Sequence, residues 1–146
     1  MTRAARWVLL DGTRKTPKLL QSGEVRAPRS FNDIESLRYL REKLKKLMEM
    51  EGVNVVSVRD NDAARGTKKF YPRVRVEALA LEAAASEGKH VLHVAWPSIA
   101  AALGVAKQAS KKKAYKKAPD FRGIDCNELD EDDMDAVHAA VVGLKA

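Results

Sequence analysis

The segment from Asp33 to Met50 sets the first constraint on what this chain can fold into. Ile34, Leu37, Leu40, Leu44, Leu47 and Met48 return mostly at intervals of three and four residues, with lysines and glutamates between them. That spacing places them on one face of an α-helix. Asn32 is suited to cap the start and Gly52 to end it. A helix with a single apolar stripe must cover something apolar, and the chain around it supplies a sheet. Trp7-Val8-Leu9-Leu10, Val53 to Val58 and His90 to Trp96 read as strands, and Lys18 to Arg26 as two more short strands around Gly23.

Alternating with these are further helical segments. Arg73 to Glu87 is alanine-rich, with Val76, Leu79, Ala80, Ala83 and Ala84 forming a small-residue packing face. Pro97 and Ser98 introduce a short helix carrying Ile99 and Leu103, with Gly104 as its stop. Residues 61–72 read as a connection. A lysine-rich helix or loop, a linker from about Pro119 and a terminal helix through Leu144 complete the chain. The pattern predicts one α/β domain over residues 1–146, with a five-stranded mixed sheet flanked by helices. With 146 residues, 45% of them apolar, the chain can bury a core of its own. It has no apolar run of the roughly 18 to 20 residues needed to span a bilayer and no signal-peptide pattern, and with one cysteine, Cys126, the expectation is a cytoplasmic protein.

Charge is divided sharply along the C-terminal part of a chain whose net charge is +7. Residues 107–117 hold six lysines and no acid, whereas residues 120–135 hold eight acids and one arginine. The lysine tract would attract a polyphosphate backbone or form a solvated face. The acids could hold divalent ions or balance charge. Asp132 and Asp135 are three apart and share a face if helical, but acids at a helix start are also favoured as caps.

Two strand ends carry further carboxylates. Trp7, Leu9 and Asp11 share one strand face, as do Val56, Val58 and Asp60. An aspartate in such a place is also an ordinary turn residue. The histidines do not compose a metal centre by spacing: His90 and His93 point to opposite faces of a strand, and His138 suits a structural hydrogen bond. Nothing local lowers the pKa of Cys126, so a cysteine hydrolase is unsupported.

In order, Trp7-Val8-Leu9-Leu10-Asp11-Gly12, Val53 to Asp60, Arg73-Val74-Arg75-Val76-Glu77-Ala78-Leu79, Trp96-Pro97-Ser98 to Leu103-Gly104, and Asp132 to Ala140 resemble the ribonuclease H-like nuclease superfamily. The resemblance is to RuvC-type Holliday-junction resolvases and small uncharacterised relatives. It implies Asp11 as a first-strand metal ligand, Asp60 as the central carboxylate where the family usually carries Glu, and Asp132 with Asp135 as the final-helix pair. It further implies magnesium, or manganese, as cofactor, phosphodiester hydrolysis of branched DNA, and a homodimer that cuts two strands symmetrically. Lysines before the final helix approach DNA in such resolvases, so the resemblance makes Lys111, Lys112 and Lys113 candidates for DNA contact, and Lys68, Lys69, Lys107, Lys116 and Lys117 extend that basic set. The alternative is a noncatalytic nucleic-acid-binding or structural protein with the same fold.

Overall fold

The structure, a computed structural model, describes residues 4–50, 52–60, 70–105 and 120–146. Lys68, Lys69, Lys107, Lys111, Lys112, Lys113, Lys116 and Lys117 lie outside the described residues. The elements, in order, are β1 (Ala4–Gly12), β2 (Pro17–Arg26), α1 (Asp33–Met48), β3 (Val55–Arg59), α2 (Phe70–Ser86), β4 (His90–Val94), α3 (Trp96–Leu103), β5 (Asp120–Phe121), β6 (Ile124–Asp125) and α4 (Glu131–Val142). The fold is α/β as expected. Among the described residues, however, the strands fall into three two-stranded sheets, β1-β2, β3-β4 and β5-β6, rather than one five-stranded sheet. Residue patterning marks which segments are extended, whereas the partition into sheets depends on long-range backbone pairing that patterning does not encode. Among the described residues no helix is long and apolar enough to cross a membrane.

Two compact units emerge, residues 1–5 with 24–93 and residues 6–23 with 94–146. In the first, α1 starts on a reciprocal cap. Asn32 Oδ1 accepts from Glu35 N–H at 2.8 Å, and Glu35 Oε1 accepts from Asn32 N–H at 3.3 Å. The helix ends at Met48, with Glu49 as C-cap and Gly52 beyond it at φ +86°. Its buried line is Ser36, Leu40, Leu44 and Met48, a strict four-residue repeat; Ile34 falls off that line and is 79% exposed. Leu44 and Met48 pack with Ala83 and Ala84 of α2, and Val56 of β3 and Val91 of β4 join the same core. Alanines on α2 let the two helices approach closely, and Arg41 closes the rim with a two-pronged contact to Glu82 at 2.7 and 3.1 Å.

The second unit is built on α3 against α4. Pro97 lies in the first turn of α3, where its missing N–H costs nothing, and Gly104 ends the helix at φ +72°. Trp96, Ile99 and Leu103 are buried, as are Met134, Val137, His138 and Val141 of α4. His138 is a core residue, its ring 5.1 Å from that of Phe121 and 6.4 Å from that of Trp96.

Two differences from the sequence reading concern turns and strands. Pro17–Arg26 is one ten-residue strand, not two. Gly23 does not interrupt it; a Cβ there would lie 2.9 Å from Trp7 Cζ2, so glycine makes room for the indole of the neighbouring strand. Residues 120–125, read as linker, form a hairpin whose register, Phe121 against Ile124, leaves Arg122-Gly123 as the turn. Both turn residues have positive φ, +50° and +91°, the conformation a two-residue type I′ turn requires. Arg122 is compensated for that conformation, since its guanidinium donates to Leu103 O at 2.8 Å and to Arg14 O.

Candidate metal centre

The first unit contains a strand-helix-strand element, β3-α2-β4. His90 N–H, at the start of β4, donates to Asn54 C=O just ahead of β3 at 3.1 Å, so the two strands begin side by side, as a crossover helix requires of its strands. Strand alternation then aligns Val56 and Val58 on one face of β3, with Asp60 immediately after the strand, and Val91 and His93 on one face of β4. Val56 and Val91 contribute to the core that α2 covers. Asp60 and His93 are the polar continuation of that face at the strand ends. The outer rim at the carboxyl ends of strands is where α/β folds place ligands.

Glu77 arrives from α2. It is three residues before Ala80 and seven before Ala84, so it shares their core-facing side of the helix. His93 Nε2 is 3.6 Å from Asp60 Oδ1 and 3.9 Å from Glu77 Oε2. One ligand atom from each of the three residues lies within 4.8 Å of the others, and among the described residues this is the group of His, Cys, Asp and Glu side chains that could hold a metal ion. The three differ in exposure: Asp60 and His93 side chains are 47% and 41% exposed, Glu77 13%. Arg59 donates to the Asp60 carbonyl at 2.6 Å, holding the chain at the strand end. Two carboxylates around one imidazole form an electron-rich cluster that a cation balances.

Of the acids nominated from sequence, Asp60 belongs to this group. Asp11, Asp132 and Asp135 lie in the other unit. Asp11 is exposed near the end of β1, beside Gly12, whose φ of +90° and whose close approach to the Thr16 carbonyl exclude a side chain. Asp132 is exposed in the first turn of α4, and Asp135 is half-buried one turn further on the same face. Capping of α4 is the work of their neighbours: Asp130 Oδ1 accepts from Asp133 N–H at 2.8 Å and Asp133 Oδ2 from Asp130 N–H at 3.1 Å. Arg6 Nη1 reaches both carboxylates, at 3.0 and 3.1 Å. The Asp133 N–H, foremost, together with Arg6 holds the Asp130 carboxyl below the usual range against an opposing effect of burial.

Glu77 and His93 were missed by sequence reasoning, which tested His93 only against His90 on the same strand. A signal was present: Glu77 is an acid in phase with Ala80 and Ala84 on an apolar helix face, a costly place without a cationic partner. Cys126 matches its expectation. It is buried, and burial, then Asp120 and Asp125, push its thiol pKa up, away from nucleophilic chemistry.

No known protein-family profile matches the chain, and no curated protein does. Solved structures do. A structure of Thermus thermophilus RuvC superposes with a TM-score of 0.67 at 17% identity, covering 92% of this chain and 82% of that one. A second, of T. thermophilus RuvC in complex with a Holliday junction substrate, gives 0.68 at 15% identity, covering 94% and 90%. At such identities the likeness speaks to backbone architecture. The backbone fold of this chain is therefore similar to that of T. thermophilus RuvC.

Proposed function

We propose that this protein is a metal-dependent, structure-selective DNA endonuclease that hydrolyses phosphodiester bonds in branched DNA, Holliday junctions included. The observation that carries the reading is the position of Asp60. A carboxylate nominated from its strand-end place stands with Glu77 and His93 in a group able to hold a cation, within a RuvC-like fold. Asp11, Asp60, Asp132 and Asp135 are the proposed ligands, with magnesium or manganese matched to their oxygen donors. An ion held by these residues would supply a water of lowered pKa and charge compensation at the departing oxygen. The protein's own contribution is to hold carboxylates on strand and helix ends, where their backbones are fixed. Lys68, Lys69, Lys107, Lys111, Lys112, Lys113, Lys116 and Lys117 neutralise DNA phosphates without reading sequence. A homodimer would present two such sites for paired cuts.

The test is cleavage of branched, duplex and single-stranded DNA with added magnesium or manganese. Branched DNA should be cut by the wild type and not by Asp11→Asn or Asp132→Asn. A folded protein that cuts none of these substrates overturns the reading.

A binding-only role is favoured by one observation, that Asp11, Asp132 and Asp135 belong to a different compact unit from Asp60. In that case DNA binding is salt-sensitive through the lysines, independent of magnesium and indifferent to Asp11→Asn.

A further inference from the structure

We infer that Asp60, Glu77 and His93 form a site for a first-row divalent transition ion, manganese or zinc, in preference to magnesium. The inference rests on the nuclease reading for the presence of an ion at Asp60, and goes beyond it in naming the ion's class and two further ligands.

The donor set is the first argument. Magnesium favours near-octahedral oxygen and holds much of its water, whereas imidazole suits zinc and its neighbours, with affinity rising from manganese to zinc. One nitrogen among two carboxylates therefore biases the site against magnesium. Spacing is the second. Ligand atoms about 2.0–2.1 Å from a tetrahedral zinc are roughly 3.3 Å apart. The 3.6 and 3.9 Å separations around His93 Nε2 exceed that by roughly 0.3 and 0.6 Å, and the carboxylates of Asp60 and Glu77, within 4.8 Å of each other, draw in further around an ion. Exposure is the third. Glu77 is largely buried on an apolar helix face, whereas Asp60 and His93 open to solvent. Three protein ligands with one open side are what a metal retaining a water or a substrate position requires.

The test uses the full chain without DNA. Manganese, zinc and magnesium are titrated singly by calorimetry, and manganese is also followed by electron spin-echo spectroscopy for nitrogen coupling from a ligating imidazole. Wild type should bind zinc and manganese at least about tenfold more tightly than magnesium. Glu77→Gln and His93→Asn should each weaken zinc by about 10–100-fold or more, the loss caused by removing even an outer-shell partner. The nitrogen coupling should vanish in His93→Asn, while Glu42→Gln, at an exposed carboxylate of α1, should leave zinc binding and the coupling unchanged. Circular dichroism confirms that each variant is folded. Zinc binding that survives in both Glu77→Gln and His93→Asn, or manganese bound without nitrogen coupling, overturns the inference. Failure of cleavage with an intact zinc site overturns the nuclease reading alone; magnesium-supported cleavage without any transition-ion site overturns this inference alone.

Discussion

His93 Nε2 lies 3.6 Å from Asp60 Oδ1, joining the ends of two paired strands, and the same nitrogen is 3.9 Å from Glu77 on the helix that connects them. The least exposed of the three is Glu77, and it stands where the helix otherwise shows alanine and leucine to the core. Glu77→Leu removes a largely buried carboxylate from its place beside His93 and is expected to lower the stability of the metal-free protein by about 1 kcal/mol. Urea denaturation in the presence of a chelator measures this. A gain in stability would show the carboxylate to be kept for ligation rather than for the fold.

Asp130 gives a pH signature. Its folded pKa is lowered, so its stabilisation is complete above the unfolded value of about 3.9 and disappears as pH falls through the folded one. Asp130→Ala should cost about 1 kcal/mol near neutral pH through loss of the cap. The difference between wild type and variant, followed by chemical denaturation, should stay level down to about pH 5 and shrink below about pH 4.

Replacing Gly23 tests the contact between β2 and Trp7. With a Cβ only 2.9 Å from the indole, Gly23→Val must displace the ring, at a cost of about 1–3 kcal/mol. A lowered urea midpoint accompanied by a shift in tryptophan emission is the expected result, with Gly23→Ala in the same direction and smaller.

Arg122 separates backbone conformation from side-chain bonding. Arg122→Gly relieves roughly 1–2 kcal/mol of left-handed backbone cost but removes donors from the Leu103 and Arg14 carbonyls. Arg122→Ala keeps the cost and loses the donors. Melting temperatures should therefore run wild type, then Arg122→Gly, then Arg122→Ala; a glycine variant below the alanine variant would contradict the conformational argument.

What could be read from sequence was what a single element determines. Asn32 and Gly104 marked helix ends because capping is local, and the strand through Val56 and Val58 followed from its run of β-branched residues. Leu40, Leu44 and Met48 were legible for the same reason, while Ile34, one turn too early, was not separable from them. The β5-β6 hairpin escaped because its two-residue strands have no period to detect, and its turn begins with an arginine where Asn or Asp is the usual signal. Glu77 and His93 escaped because ligation joins different elements. Periodicity states which way each side chain points, but not which neighbouring element meets it.

Arg14 donates to the carbonyls of Val142 and Leu144 at 2.8 and 3.1 Å, a separation of 128 residues for the first of these. The second unit is thus assembled from residues 6–23 and 94–146, and its closing bonds lie at the far end of the chain. On a ribosome, the β1-β2 turn would leave the exit tunnel long before its partners exist. Residues 24–93 belong to one compact unit and can organise during synthesis, whereas the unit holding Asp11, Asp132 and Asp135 can be completed only after Val142 and Leu144 have emerged.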